Sequence, residues 1–169
     1  MANTFELIEA KTLTTSTASI SFSSIPATFT DFKVVYSART TDSASWNVAY
    51  IKFNTDSTAA NYPTRYLFAF STTVGSATGN QFAGYLTSTA MTSNTFSNNE
   101  IYVPNYLSST SKSFSVDSVT EGNSATLIPS QLTAGRWTDT SAINQITLTP
   151  DAGSFAANST FYLYGIKNS

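Results

Sequence analysis

The chain of 169 residues contains neither cysteine nor histidine. Their absence excludes disulfide frameworks, zinc, haem and iron–sulfur sites built on Cys or His, thiol nucleophiles and any Ser-His-Asp triad. Charge is scarce as well. Eight Lys and Arg stand against ten Asp and Glu, for a net charge of -2 and a charged fraction of 11%, where roughly a quarter is usual. The basic residues Lys11, Lys33, Arg39, Lys52, Arg65, Lys112, Arg136 and Lys167 stand singly. Nucleic-acid backbones need clustered cations, so no nucleic-acid partner is expected. The most apolar stretches, such as Tyr66 to Phe70, are a handful of residues, so no membrane helix is expected. The start, Met1 to Leu7, has no basic and then apolar pattern, so a cleaved export signal is not expected either.

What fills the chain is hydroxyl and aromatic. Ser and Thr make up about a third of it, well above ordinary usage. Twelve Phe, nine Tyr and two Trp are too many for a disordered chain. Thr, Tyr, Phe and Val all favour strands. The dominant period is two. Phe32, Val34, Tyr36 and Ala38 alternate with Lys33, Val35, Ser37 and Arg39, which gives a strand with one apolar face. Phe114, Val116 and Ser118 repeat the pattern, as do Ile146 and Leu148. Phe161 to Ile166 alternates aromatics on both faces, as a sandwiched or interfacial strand would. Further strands are expected over 4–9, 18–22, 48–53, 65–70, 81–86, 100–103 and 125–132. Turn signals fall between them at Ile25-Pro26, Asn54 to Ser57, Val74 to Asn80, Pro104-Asn105, Glu121 to Asn123 and Thr149 to Gly153. A short helix fits Thr138 to Asn144. Short strands at this spacing, in one domain spanning 1–169, indicate an antiparallel β-sandwich or barrel.

Candidate chemistry is thin. Without His or Cys, acid–base work falls to carboxylates or lysine. Asp117 and Glu121 share a strand face, yet four residues along a strand put them ~13 Å apart. A retaining glycosidase needs carboxyls about 5–5.5 Å apart. Asn54, Asp56 and Asn61 could offer oxygens to Ca²⁺, but the spacing better fits an Asx turn closing a hairpin. Ser76, in Gly75-Ser76-Ala77-Thr78-Gly79, is off-centre for a nucleophile elbow, and that segment is expected to be a flexible loop. No catalytic, cofactor or metal residues are therefore assigned. Trp46, Tyr62, Tyr66, Tyr85, Tyr106 and Trp137 lie near expected loops and could form aromatic platforms for sugars, although Trp46 and Trp137 equally suit the ends of a core. Together with Arg39 and Arg65, the residue type enriched at interfaces, the candidate partner or glycan surface is Arg39, Trp46, Tyr62, Arg65, Tyr66, Tyr106 and Trp137.

Several segments in order carry a resemblance. Ser24-Ile25-Pro26-Ala27-Thr28-Phe29-Thr30-Asp31-Phe32 leads into a strand ending Ser37-Ala38-Arg39. Ile51-Lys52-Phe53-Asn54-Thr55-Asp56, Asn61-Tyr62-Pro63-Thr64-Arg65-Tyr66-Leu67 and Ile101-Tyr102-Val103-Pro104-Asn105-Tyr106 follow. The Trp137 region, Ala142 to Leu148 and a closing Leu163-Tyr164-Gly165-Ile166 complete the order. This resembles a family of small structural proteins of tailed bacteriophages, many from cyanobacterial and marine phages. Members with Gly in the Phe-Asn-Gly-Asp turn have Thr55 in its place here. The resemblance implies a jelly-roll-like sandwich and a non-enzymatic virion component made in the host cytoplasm. Its expected partner is the major capsid protein, bound as a decoration or cement protein and self-associated as a homotrimer. The alternative is a tail-fibre, spike or head-fibre domain that binds host-surface glycans.

Overall fold

The alternating positions of Asp31–Ala38 (β3) put Phe32, Val34, Tyr36 and Ala38 on one face, and all four are fully buried. The same period governs the rest of the computed structural model, which describes residues 4–124 and 128–167. The other strands are β1 (Phe5–Thr12), β2 (Ile20–Ser23), β4 (Asn47–Phe53), β5 (Pro63–Phe70) and β6 (Thr73–Asn80). They continue as β7 (Phe82–Leu86), β8 (Ser97–Val103), β9 (Lys112–Thr120), β10 (Ser130–Trp137), β11 (Gln145–Pro150) and β12 (Thr160–Ile166). A single 3-10 turn, Ala59–Asn61, precedes β5. All strand pairings are antiparallel.

The strands form two sheets, of order β1-β12-β3-β8-β9-β10-β5-β6 and β2-β11-β4-β7. Without the β5–β6 and β9–β10 hairpins, eight strands remain, in two sheets of four. Their nested pairs, β1 with β12, β2 with β11, β3 with β8 and β4 with β7, are those of a long ribbon rolled up on itself. This is the jelly-roll sandwich. The two inserted hairpins join the same sheet and double its width. The core lies between the sheets. Phe22, Ile51, Phe53, Ile146 and Leu148 of the small sheet meet Phe32, Val34, Tyr36, Phe161 and Leu163 of the large one. Each such side chain contributes about 1.5–3 kcal/mol when fully buried.

Four expectations from the sequence need correction or trimming. The segment Val74 to Asn80, expected to be a turn, is strand β6, paired without interruption to β5. Its inward positions hold Gly75, Ala77 and Gly79, because the rings of Phe68 and Phe82 occupy the space their side chains would need. A Cβ on Gly75 would lie 2.7 Å from Phe68 Cζ, and one on Gly79 would lie 2.3 Å from Phe82 Cε2. Small residues and two glycines conceal a strand from periodicity. Thr138 to Asn144 is not a helix but an irregular loop. Its carbonyls are taken by side chains: Lys112 Nζ donates to Thr140 and Ser141, and Asn54 Nδ2 to Ala142. The strand expected over 125–132 begins at Ser130 and runs on to Trp137; residues 125–127 lie outside those described. Finally, Thr55 needs no glycine, because the left-handed residue of its turn is Asn54 (φ 54°).

Candidate functional site

A four-stranded sheet cannot cover an eight-stranded one, and this mismatch shapes both candidate surfaces. On the inner side, where β5 and β6 overhang the small sheet, a run of rings seals the gap. Tyr50, Phe82, Tyr66, Phe68 and Phe70 follow one another at centroid distances of 5.8, 4.8, 6.0 and 5.6 Å. Trp46 and Tyr85 close the end, each 5.2 Å from Phe70. Trp46 stays 40% exposed. Trp46 and Tyr66, two of the candidates from the sequence, therefore belong to one ring system, in which most members are half-buried.

On the outer side the large sheet is open. Cross-strand register places Glu100, Asp117, Leu132, Leu67 and Ser76 in one row over β8, β9, β10, β5 and β6. The next row holds Tyr102, Ser115, Ala134, Arg65 and Thr78. Together they line a groove of about 610 Å³. A shallower recess of about 250 Å³ continues it past Leu67, Leu132 and Val74. Leu67 is 60% exposed, Leu132 56% and Val74 81%. Exposed aliphatic side chains are ordinary singly; here two leucines and a valine share one trough. Farther along the same face, Tyr162 and Tyr164 stack at 6.4 Å.

The groove also places two carboxylates side by side on neighbouring strands. Glu100 and Asp117 are direct cross-strand partners. Like charges so placed repel, and Lys33 Nζ answers Glu100 at 2.7 Å. An exposed ion pair of this kind contributes about 0–1 kcal/mol. The signal that could have found the pair is the β8–β9 hairpin register, which strand periodicity does not fix.

Three other candidates from the sequence do not reach the surface. Tyr62 and Tyr106 are fully buried, and Trp137 is 1% exposed. None of the three presents a face to a partner or a glycan. Tyr62 and Trp137 stack at 6.3 Å against Phe53. Arg39 is spent internally: its guanidinium donates to the carbonyls of Met91, Thr92 and Thr95 and pins the segment between β7 and β8. Arg65 and Trp46 are exposed, and Tyr66 and Arg39 are half-buried.

The Asn54, Asp56, Asn61 cluster is an Asx turn rather than a cation cradle. Asp56 Oδ1 accepts the N–H of Thr58 at 2.9 Å, and Oδ2 accepts Asn61 Nδ2 at 2.9 Å and Trp137 Nε1 at 2.8 Å. Burial pushes the Asp56 carboxyl up, but these bonds to its charged form outweigh burial and leave it below the usual range. Asn54 Oδ1 accepts the backbone N–H of Asn144. No group of three or more acidic metal ligands occurs among the described residues. No helix among them is long and apolar enough to cross a membrane.

No family model matches the chain, and no curated protein does. A solved structure described as "Putative pore-forming toxin from Bacteroides vulgatus" aligns over 89% of this chain and 61% of that one, at 6% identity and a TM-score of 0.11. A likeness that slight carries no argument about fold or function.

Proposed function

We propose that this protein is a structural component of a bacteriophage virion, a decoration protein that binds the major capsid protein on the outer shell. The observation that supports it is the trough on the open face of the large sheet, with Leu67, Leu132 and Val74 exposed and Arg65, Glu100 and Asp117 beside them. Such a face gains from burial against another protein, at about 25 cal/mol per Å² of apolar surface. Binding only the assembled shell lowers the free energy of that state alone and so braces it. Jelly rolls occur in capsid proteins and in lectins alike, so the fold supports the reading without selecting it.

The test is the amount of this protein in purified virions, by quantitative mass spectrometry against the major capsid protein. A simple stoichiometric ratio supports decoration, and Leu132→Asp should then abolish binding to shells that lack the protein. Absence from the particle overturns the reading.

One observation favours a second reading, a fibre or spike domain that binds host glycans: Trp46 stands half-open at the end of the aromatic run. A copy number of a few per hundred capsid subunits, with glycan binding lost in Trp46→Ala, would support it over the first.

A further inference from the structure

The two sheets have four edges, and three of them are blunted. β1 carries Glu6, Glu9 and Lys11 and breaks register between Leu7 and Glu9. β2 is four residues long. β7 breaks register beside Gly84 (φ +129°), and the large sheet takes up its free groups. Tyr85 N–H donates to Ser118 Oγ at 2.7 Å, and Tyr36 Oη–H donates to the Ala83 carbonyl at 2.6 Å. Charge, bulges and brevity are the devices that keep edge strands from pairing with other chains.

β6 has none of them. It is eight residues long, without charge, proline or register shift. Its backbone groups divide by parity. Gln81 N–H donates to the Tyr62 carbonyl, so pairs in step with 62 and 81 are the hydrogen-bonded ones. Thr73, Gly75, Ala77 and Gly79 thus bond to β5, while Val74, Ser76, Thr78 and Asn80 direct N–H and C=O outward. These four are exposed.

The sequence of the strand indicates what pairs with it. Gly75-Ser76-Ala77-Thr78-Gly79 is nearly palindromic about Ala77. Antiparallel to itself, it sets Gly75 opposite Gly79, Ser76 opposite Thr78 and Ala77 opposite Ala77. The Gly pairs leave room for the Phe68 and Phe82 rings of both copies. The Ser–Thr pairs are cross-strand hydroxyl partners of a stabilising kind, and no like charges meet. We propose that β6 pairs with β6 of a second copy about a two-fold axis at Ala77, making one continuous sheet from two. A ring of three would need a second free edge of a different kind, and the remaining edges are blocked. The pair proposed here is two-fold, where the homotrimer expected from the sequence is three-fold. The outer troughs of the two copies then lie side by side. This inference does not rest on a virion role, because the isolated chain reports it.

The test is sedimentation equilibrium of the full chain over a concentration series. The expected mass is twice that of the 18.1 kDa chain. Ser76→Lys and Ser76→Pro change only an outward-facing edge position, and each should give a monomer with unchanged far-UV circular dichroism. The chain has no cysteine, so Ala77→Cys supplies a single thiol. Opposite Ala77 residues form a pair without mutual hydrogen bonds, about 4.5 Å apart at Cα, within disulfide range. Oxidation should crosslink Ala77→Cys into dimers and leave Asn80→Cys uncrosslinked. A monomeric wild type, a trimer, or equal crosslinking at both positions overturns the proposal.

Discussion

Ser118 on β9 accepts the backbone N–H of Tyr85 on β7 at 2.7 Å and donates its own proton to Asn99 Oδ1 at 2.6 Å. Asn99 Nδ2 continues to Ser97 Oγ, and Ser97 Oγ–H to the Ala38 carbonyl. This buried chain ties the edge of the small sheet to three strands of the large one. Ser118→Ala leaves the Tyr85 N–H and one amide oxygen unpaired. At about 1–3 kcal/mol for each buried group left without a partner, the expected loss is roughly 2–6 kcal/mol. Urea unfolding at neutral pH measures it, and a loss under ~0.5 kcal/mol would mean that water replaces the hydroxyl.

Lys112 is a buried ammonium that organises a loop. Its Nζ donates to the carbonyls of Thr110, Thr140 and Ser141 at 2.6, 3.2 and 2.9 Å and lies 5.7 Å from the Trp137 ring. Burial holds its pKa below the ordinary lysine value, with Asp139 opposing. Lys112→Met keeps the stem and removes every donor, so three carbonyls lose a partner. The expected cost is about 2–4 kcal/mol, together with protease cleavage within 138–144 that the parent resists. Limited proteolysis and thermal melting check both.

Stability should fall above pH 10. Burial raises the pKa of Tyr36, Tyr62, Tyr85, Tyr50 and Tyr106. At Tyr102 the hydrogen bond to Asp31 (2.6 Å) leads, and the pKa is pushed up to about 12. An unfolded tyrosine ionises near pH ~10. Below that both states are protonated and these groups give no pH dependence. Above it the unfolded state loses protons first, so folding weakens. Lys112 and Arg39, both held below their ordinary values by burial, work in the opposite sense, two groups against six. The expected result is a urea midpoint that drops beyond pH 10, with tyrosinate absorbance rising together with unfolding. Titration of all nine tyrosines at pH 10 in the folded protein would contradict it.

The Gly79 contact with Phe82 sets the width of the β5–β6 overhang. Gly79→Val drives a branched side chain into that ring and is expected to destabilise the fold by about 1–3 kcal/mol. Gly79→Val combined with Phe82→Leu should recover part of the loss, because the two sites share one space. Thermal melting of the single and double variants reads the coupling.

The sequence by itself determined the fold class. Period-two runs such as Phe32 to Ala38 and Ile146 to Thr149 depend on local alternation, which survives in one dimension. Turns such as Asn54 to Ser57 were legible for the same reason, since Asx chemistry is local. The tertiary structure decided what faces water. Tyr62, Tyr106 and Trp137 adjoin loops in the sequence yet lie in the core, because burial depends on which strand crosses overhead. Glu100 and Asp117, 17 positions apart, meet because hairpin register opposes them. β6 escaped notice because its inward residues are small, and they are small because rings from β5 and β7 lie across them. Which edges are blocked is likewise a property of sheet order, and sheet order is set by pairings such as Phe5 with Ile166, between opposite ends of the chain.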